Sequence, residues 1–199
     1  MEEKKKSKII KTVICIVIMA ALVIGYYIYI SNKDFRTESS KEKEKDTIEK
    51  LLASDLEKEY PSNPREVVTF YSDLICCIYN DEITEEQMDI LVVKLRTLFD
   101  LELLEQNPLK EYVEDLKTEV ADYKKKKKTI ASYQVSKNSE IIYQEMDAEN
   151  YATMSGYYRV KTKKSNPVTV CEEFLLRKDK EGYWRILGWE LSNGKVLDE

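Results

Sequence analysis

The pattern of hydrophobic and polar positions divides the chain into an apolar run, a polar stretch, a helical region and a final region of alternating residues. Nineteen consecutive residues, 12–30, carry no charge. At about 1.5 Å per helical residue they extend about 28 Å, close to the hydrocarbon thickness of a bilayer. Tyr26, Tyr27 and Tyr29 suit a membrane interface and make a poor signal-peptide cleavage site. We therefore predict a permanent transmembrane helix over residues 9–30, with the lipid bilayer as its partner.

The distribution of basic residues predicts the orientation of this helix. Five Lys or Arg residues precede the apolar run and five follow it in residues 31–46, so the count alone does not decide. The first group is compact and leaves residues 1–11 with a net charge of +3, whereas acidic residues cancel the second group. Because basic flanks tend to stay in the cytoplasm, we predict a cytoplasmic tail, residues 1–8, and an extracytoplasmic C-terminal domain at the cell membrane.

A polar segment follows the predicted membrane helix. Residues 31–46 contain one large apolar side chain, so they cannot bury a core and are typical of a solvated tether. Ile48, Leu51, Leu52 and Leu56 then fall at helical spacing, which permits a short lead-in helix or a docked segment. We assign residues 31–60 to a charged tether and lead-in segment, and residues 61–199 to one domain.

Three amphipathic helices are predicted at the start of this domain. Asn63-Pro64 and Thr84-Glu85-Glu86-Gln87 are typical helix starts, in which a capping side chain is followed three residues later by Glu or Gln. Asn107-Pro108 precedes the third helix. Apolar residues recur at helical spacing after each start, and in the second helix they extend through Leu98 and Phe99.

From about residue 129 the apolar period shortens to two, which indicates a sheet. The predicted strands cover residues 129–136, 140–145, 151–163, 167–178 and 183–191. A short turn, Asp179-Lys180-Glu181-Gly182, joins the last two strands. Helices followed by antiparallel strands predict an α+β domain in which the helices pack on one face of the sheet.

Two segments carry a resemblance to known families. The closing strand, Gly182 to Glu190, resembles the last strand of the nuclear-transport-factor-2-like superfamily, which implies a curved antiparallel sheet wrapped onto helices as a cone with an apolar cavity. The segment Tyr60 to Val68, with Tyr71-Ser72 and Cys77-Ile78-Tyr79-Asn80 after it, resembles an uncharacterised family of membrane-anchored proteins of the Firmicutes. The second resemblance implies no catalytic residues.

The net charge and the cysteine content limit which classes of partner and cofactor are expected. Taking the +3 of residues 1–11 from the total of −5 leaves −8 on residues 47–199, which argues against nucleic-acid binding. The chain has no histidine and no C-x-x-C spacing, so we predict no metal and no cofactor. Cys76, Cys77 and Cys171 are expected to be small buried residues, although a bond from Cys171 to either of the others stays open.

Glu172 is the strongest candidate for a ligand site. Strand alternation places it on one face with Val168, Val170, Phe174 and Leu176. If this face lines the cavity, the carboxyl is desolvated, and Tyr158 and Trp189 could share the pocket with it. The alternatives are that a bulge or sheet edge turns Glu172 to water, or that Arg159 or Arg177 pairs with it.

Five consecutive lysines form a second candidate surface at the end of the third predicted helix. The anionic-surface candidates are Lys124, Lys125, Lys126, Lys127 and Lys128. They could bind anionic lipid headgroups or wall polymers. They also suit a solvated helix C-terminus, where cations meet the negative end of the helix dipole, and this interpretation is favoured.

The sequence favours a protein without catalytic activity. Ser72, Asp73 and the neighbouring cysteines lack a histidine base, which a serine or cysteine nucleophile usually needs. We expect a non-catalytic binding or scaffold module of the cell envelope, with an envelope protein as partner. The alternative is a small-ligand binder or hydrolase that uses the pocket around Glu172. A deep pocket with buried Glu172 would favour this alternative, whereas a filled cone with an exposed apolar patch would favour the scaffold.

Overall fold

The computed structural model describes residues 46–162 and 166–192. The predicted tail, the membrane helix over residues 9–30 and residues 31–45 of the tether lie outside this part. The helices are α1 (residues 46–53), α2 (Pro64–Asn80), α3 (Glu85–Thr97), α4 (Leu101–Gln106) and α5 (Leu109–Lys125). The strands are β1 (Lys128–Val135), β2 (Ile142–Met146), β3 (Glu149–Thr162), β4 (Val168–Lys178) and β5 (Trp184–Ser192). None of the helices in the described ranges combines the length and apolar character needed to cross a membrane.

The predicted helix starts are confirmed. Asn63 caps α2 by accepting a hydrogen bond from the Glu66 backbone N–H at 3.0 Å, and Pro64 occupies the first helical position. Thr84 and Gln87 form a reciprocal capping box at the start of α3. These local hydrogen bonds satisfy backbone donors that the first helical turn leaves without partners.

The expectation of three helices in the domain is wrong, because the described residues after position 60 form four. The lead-in segment forms α1, which is one of the two alternatives that the sequence left open. The second predicted helix ends at Thr97, and Leu98 and Phe99 leave it to run beside β5. The Ile186 backbone N–H donates to the Leu98 carbonyl, and the Asp100 N–H donates to the Ile186 carbonyl, each at 2.8 Å. These two bonds replace helical ones, and the chain then forms the short α4, which Asp100 caps.

The sheet is antiparallel and not closed, and its strands follow the predicted ranges to within about two residues. The order is β1-β3-β4-β5, and β2 also pairs with β3. Both β1 and β2 lie along one edge of β3, since β1 pairs with its second half and β2 with its first. A short 3-10 turn, Asn138–Glu140, separates them and delays the start of β2. The fold is therefore α+β, as predicted.

The core lies between the helices and one face of the sheet. Residues from Thr47 onward form one compact unit, and α1 contributes Leu51 to its core. Leu74, Ile78, Leu91 and Leu95 from the helices are fully buried, as are the strand residues Phe174, Leu176 and Ile186. The predicted turn between β4 and β5 is present, and Gly182 adopts the left-handed conformation there with φ of 90°.

Candidate functional site

The described part contains a cavity of about 460 Å³ on the helix-covered side of the sheet. Helices α2 and α5 form one wall, and strands β1, β3, β4 and β5 form the other. The wall contains five tyrosines, one tryptophan, three carboxylates and one lysine, together with apolar side chains. The charged and aromatic members are Tyr71, Tyr79, Tyr112, Tyr123, Tyr158, Trp189, Asp115, Glu119, Glu172 and Lys128. A volume of this size is in the range of small-molecule sites.

Aromatic contacts fix the inner end of the cavity. The ring of Tyr71 on α2 lies 5.2 Å from that of Phe174 and 5.4 Å from that of Trp189, centroid to centroid. Phe99, from the segment that runs beside β5, approaches Trp189 at 5.7 Å. Edge and tilted contacts of this kind stabilise aromatic clusters beyond the area they bury. Trp189 therefore contacts three aromatic rings, since Phe174 also lies 6.1 Å from it.

Gly156 makes room for Tyr158 in the cavity wall. A Cβ atom at Gly156 would lie 3.0 Å from the Phe174 ring and 3.3 Å from the Tyr158 ring and hydroxyl. The Tyr158 ring can therefore lean along the strand over the glycine, and its hydroxyl lies 2.9 Å from Ser72 Oγ on α2. Ser72 Oγ also donates to the Val68 carbonyl at 2.7 Å. This buried pair links β3 to the helix layer at the cavity floor.

Glu172 projects into the cavity from the middle of β4. Its neighbours on the same face, Val170 and Phe174, are apolar, and Gly156 is its partner on β3. Burial, and to a smaller extent the charge of Glu119, raises the pKa of Glu172 to about 7. Within the described ranges, no hydrogen bond or ion pair from protein to this carboxyl is present. It is thus a desolvated carboxyl that faces space a ligand could fill.

The other charged groups lie where the cavity opens. Asp115 and Glu119 are one turn apart on α5 and are exposed to solvent. Burial of the ring, and then the charge of Glu119, raises the pKa of Tyr79 well above its usual value. The Lys128 ammonium lies 5.3 Å above the centre of the Tyr123 ring. Carboxylates therefore outnumber cations in this cavity.

The structure brings Glu172, Tyr158 and Trp189 into one cavity wall, but their role in ligand binding stays a prediction. The described part shows neither a bulge or sheet edge at Glu172 nor an ion pair between Glu172 and an arginine. The sheet irregularities fall between Ile130 and Ser132 and beside Leu175, away from Glu172. Arg177 instead pairs with Asp100, Glu102 and Glu149 at 2.6, 2.8 and 3.3 Å.

Asp115, Glu119 and Tyr112 were missed by sequence reasoning. The sequence does carry a signal, since Asp115 and Glu119 are four residues apart and flank the apolar face that contains Leu116. That spacing predicts a shared helix face. It does not predict which strand the helix crosses, and the meeting with Glu172 depends on that.

The five lysines differ in their conformations and in their contacts. Lys124 donates to the Asp81 carbonyl at 3.0 Å, and Lys126 pairs with Asp122 at 2.5 Å. Lys127 is in the left-handed conformation that ends the helix, with φ of 53°, and Lys128 begins β1. A groove of about 680 Å³ includes Lys124, Lys127, Lys128 and also Lys161 from β3. Binding of anions to the five lysines stays a prediction.

The three cysteines of the described part are free. Strand alternation places Cys171 on the sheet face opposite Glu172, whereas Cys76 and Cys77 lie on α2. The sheet therefore separates Cys171 from the other two, and the disulfide that the sequence left open does not form. Burial, followed by nearby acidic groups, raises the pKa of Cys76 and Cys77 to about 12.

Comparison with known proteins bears on the whole chain. No curated protein matches it. The profile of one family, described as a domain of unknown function (DUF6715), matches residues 1–189, which include the apolar run and nearly all of the described sheet. The chain therefore belongs to the family described as domain of unknown function DUF6715.

Proposed function

We propose that this protein is a non-catalytic binding module of the cell envelope, held in the membrane by residues 9–30, and that its cavity is the binding site. In this proposal residues 1–8 are cytoplasmic, and the α+β domain is an extracytoplasmic cone of the nuclear-transport-factor-2-like type. The uncharged run 12–30 and the basic tail support the anchor and its orientation. Helices laid over one face of an antiparallel sheet, with a cavity between them, support the cone.

The main observation in support of a binding site is the cavity of about 460 Å³, which the Glu172 carboxyl faces. Leaving such a volume unfilled between helices and sheet forgoes van der Waals contacts, and desolvating a carboxyl costs free energy. A ligand that fills the space and bonds to the carboxyl would offset both of these free-energy costs. Strained or costly groups cluster at functional sites for this reason.

The nucleophile candidates support binding rather than catalysis. A raised pKa keeps the thiols of Cys76 and Cys77 protonated near neutral pH, and the thiolate is the reactive form. The Ser72 hydroxyl donates to a backbone carbonyl and contacts the Tyr158 hydroxyl, whose own pKa is raised by burial and by Glu172. Neither partner is a base poised to activate the serine.

A cavity-filling variant tests the binding site. Val170 lines the cavity, and Thr169 beside it points to the opposite, exposed face of the sheet. We would dialyse the purified full-length chain, its Val170→Phe variant and its Thr169→Phe variant against a small-molecule extract and identify retained compounds by mass spectrometry. We expect a compound retained by the unmodified chain and by Thr169→Phe, and lost from Val170→Phe. Equal retention by all three, or by none, contradicts a ligand-binding cavity.

The anchor and its orientation need a separate test. Intact cells that carry a C-terminal epitope tag would be treated with protease, with a cytoplasmic protein as control. Loss of the tag from the membrane fraction supports an extracytoplasmic domain. A protected tag contradicts the orientation, and a tag found in the soluble fraction contradicts the anchor.

A scaffold role is the second candidate, and strand β2 favours it. All five residues of β2 are exposed, including the large apolar Ile142, Tyr143 and Met146. In the described part β2 pairs only with β3, so its outer edge is open to an added strand from an envelope protein. Photo-crosslinkers placed at Gln144 would be expected to capture one defined partner in cells, and a crosslinker at Lys110 on α5 would serve as the control. Indistinguishable patterns from the two positions would count against this role.

A further inference from the structure

We propose that the cavity takes an organic cation, an ammonium or guanidinium group attached to an apolar body. This inference rests on the proposed function of the cavity as a ligand site and names the class of ligand. It is drawn from the charges, the hydrogen-bond partners and the aromatic surface of the cavity wall.

The balance of charge favours a cation. Asp115, Glu119 and Glu172 line the cavity, whereas Lys128 is the one basic side chain in the same wall. An anionic ligand would meet three carboxylates, of which Glu172 is already desolvated. A cationic ligand would instead relieve the repulsion between Glu172 and Glu119. The two exposed carboxylates on α5 also lie where an entering cation passes, and such charges attract ligands of opposite sign.

The hydrogen-bond partners point to Glu172 as the group that meets the cation. Glu119 is exposed to solvent on α5. Lys128 lies against the Tyr123 ring, and no ion pair between it and Glu172 is present in the described ranges. Glu172 has no donor from the described residues, so its oxygens are free to accept from a ligand N–H. A charged donor makes the strongest hydrogen bond that a carboxylate can accept.

The aromatic wall suits a cation with an apolar body. Five tyrosines and Trp189 line the space, and the edge-on contact of Tyr79 with Tyr123 at 5.0 Å leaves ring surface toward it. Aromatic faces attract ammonium and guanidinium groups and also bury hydrocarbon. The protein already uses this interaction at the same wall, where Lys128 lies over Tyr123.

Protonation of Glu172 links binding to pH. Because the pKa of Glu172 is about 7, half of the empty cavities hold a neutral carboxyl at that pH. A cation binds the ionised form, so its affinity rises as the pH increases through about 7 and levels off above it. The other titratable groups that face Glu172 are Tyr71 and Tyr79 on α2, Tyr112, Asp115, Glu119 and Tyr123 on α5, Lys128 on β1 and Tyr158 on β3. Every group in this list whose pKa is raised is a tyrosine, and these tyrosines stay neutral between about pH 5.5 and about pH 8.

Three probes of one size separate charge from shape. Benzylammonium, benzyl alcohol and benzoate would be titrated into the full-length chain, with binding followed by ligand-observed NMR at about pH 5.5 and about pH 8, where the amine stays protonated. Glu172→Gln removes the charge in the cavity. Glu173→Gln, the matched control, removes a charge from the next residue on the exposed face of the same strand.

We expect benzylammonium to bind more tightly than the other two probes and about thirtyfold more tightly at the higher pH. Glu172→Gln should abolish this preference and the pH dependence, and Glu173→Gln should keep both. If benzyl alcohol or benzoate binds the cavity as well as the amine, the cation inference is overturned while a binding cavity stands. If no probe binds, the inference also fails, and the dialysis of Val170→Phe decides independently whether the cavity binds a ligand. The pH dependence of the unmodified chain keeps the test valid if a variant does not fold.

Discussion

Glu172→Gln is expected to stabilise the protein at neutral and alkaline pH and to leave its stability nearly unchanged in acid. The Glu172 carboxyl is desolvated by the cavity wall, so the folded state holds its proton more tightly than the unfolded state. Glutamine has nearly the same shape and no charge to desolvate. The substitution therefore removes a cost that appears only when Glu172 ionises.

The size of the effect follows from the two pKa values. The carboxyl titrates near 4.5 in the unfolded chain and at about 7 in the folded one. Because the folded state binds more protons between these values, stability falls as the pH rises from about 4.5 to about 7 and stays lower above that. At roughly 1.4 kcal/mol for each pH unit, the full loss is about 3 kcal/mol, an upper value because water in the cavity screens the charge.

The assay is urea unfolding of the full-length chain, of Glu172→Gln and of Glu173→Gln across this pH range. We expect the stability of Glu172→Gln to exceed that of the unmodified chain by up to about 3 kcal/mol at about pH 8 and to match it at about pH 4. Other carboxyls titrate equally in all three proteins, so their contributions cancel. Two results would refute the reasoning: a difference independent of pH, or an unmodified chain that is more stable than Glu172→Gln at high pH.

Four further outcomes can be checked by unfolding or labelling. Arg177→Met should destabilise the fold by about 3 kcal/mol in urea, since it strands the buried Asp100 carboxylate; a loss below about 1 kcal/mol would contradict this. Thr84→Ala should lower the free energy of unfolding by about 1 kcal/mol because it removes the cap of α3, whereas Thr84→Ser should keep both the cap and the stability. Gly156→Ala should cost about 1 to 3 kcal/mol, because its Cβ meets the Phe174 ring. In the folded protein the thiols of Cys76, Cys77 and Cys171 should react slowly with a disulfide reagent at neutral pH, and in urea they should react rapidly. Fast labelling of these three in the folded protein would show that burial does not protect them.

Local chemistry made much of the fold predictable from the sequence. The capping hydrogen bonds of Asn63 and Thr84 join residues within four positions of each other, so a short stretch of sequence is enough to predict them. The strands show an alternation of buried and exposed residues that is clearest in β3, and this period is visible without a structure. The same alternation placed Glu172 on the apolar face of β4.

What the sequence missed depends on contacts between distant residues. The chain leaves helical geometry after Thr97 because Leu98 and Asp100 bond to Ile186, which is almost ninety residues away. Helical spacing continues through Phe99, so the local pattern gives no sign of this. The site was likewise half predictable: the strand residues follow from alternation, whereas Asp115 and Glu119 join them only because α5 crosses that part of the sheet.

The segment from Leu98 to Asp100 has a consequence for how this protein meets copies of itself. By bonding to Ile186 it occupies backbone groups on the outer edge of β5, which would otherwise be available for pairing with another chain. The β2 edge has no such cover in the described part. A second copy that pairs along β5 would meet an occupied position at Ile186, so the β2 edge is the more open of the two to an added strand within the described residues.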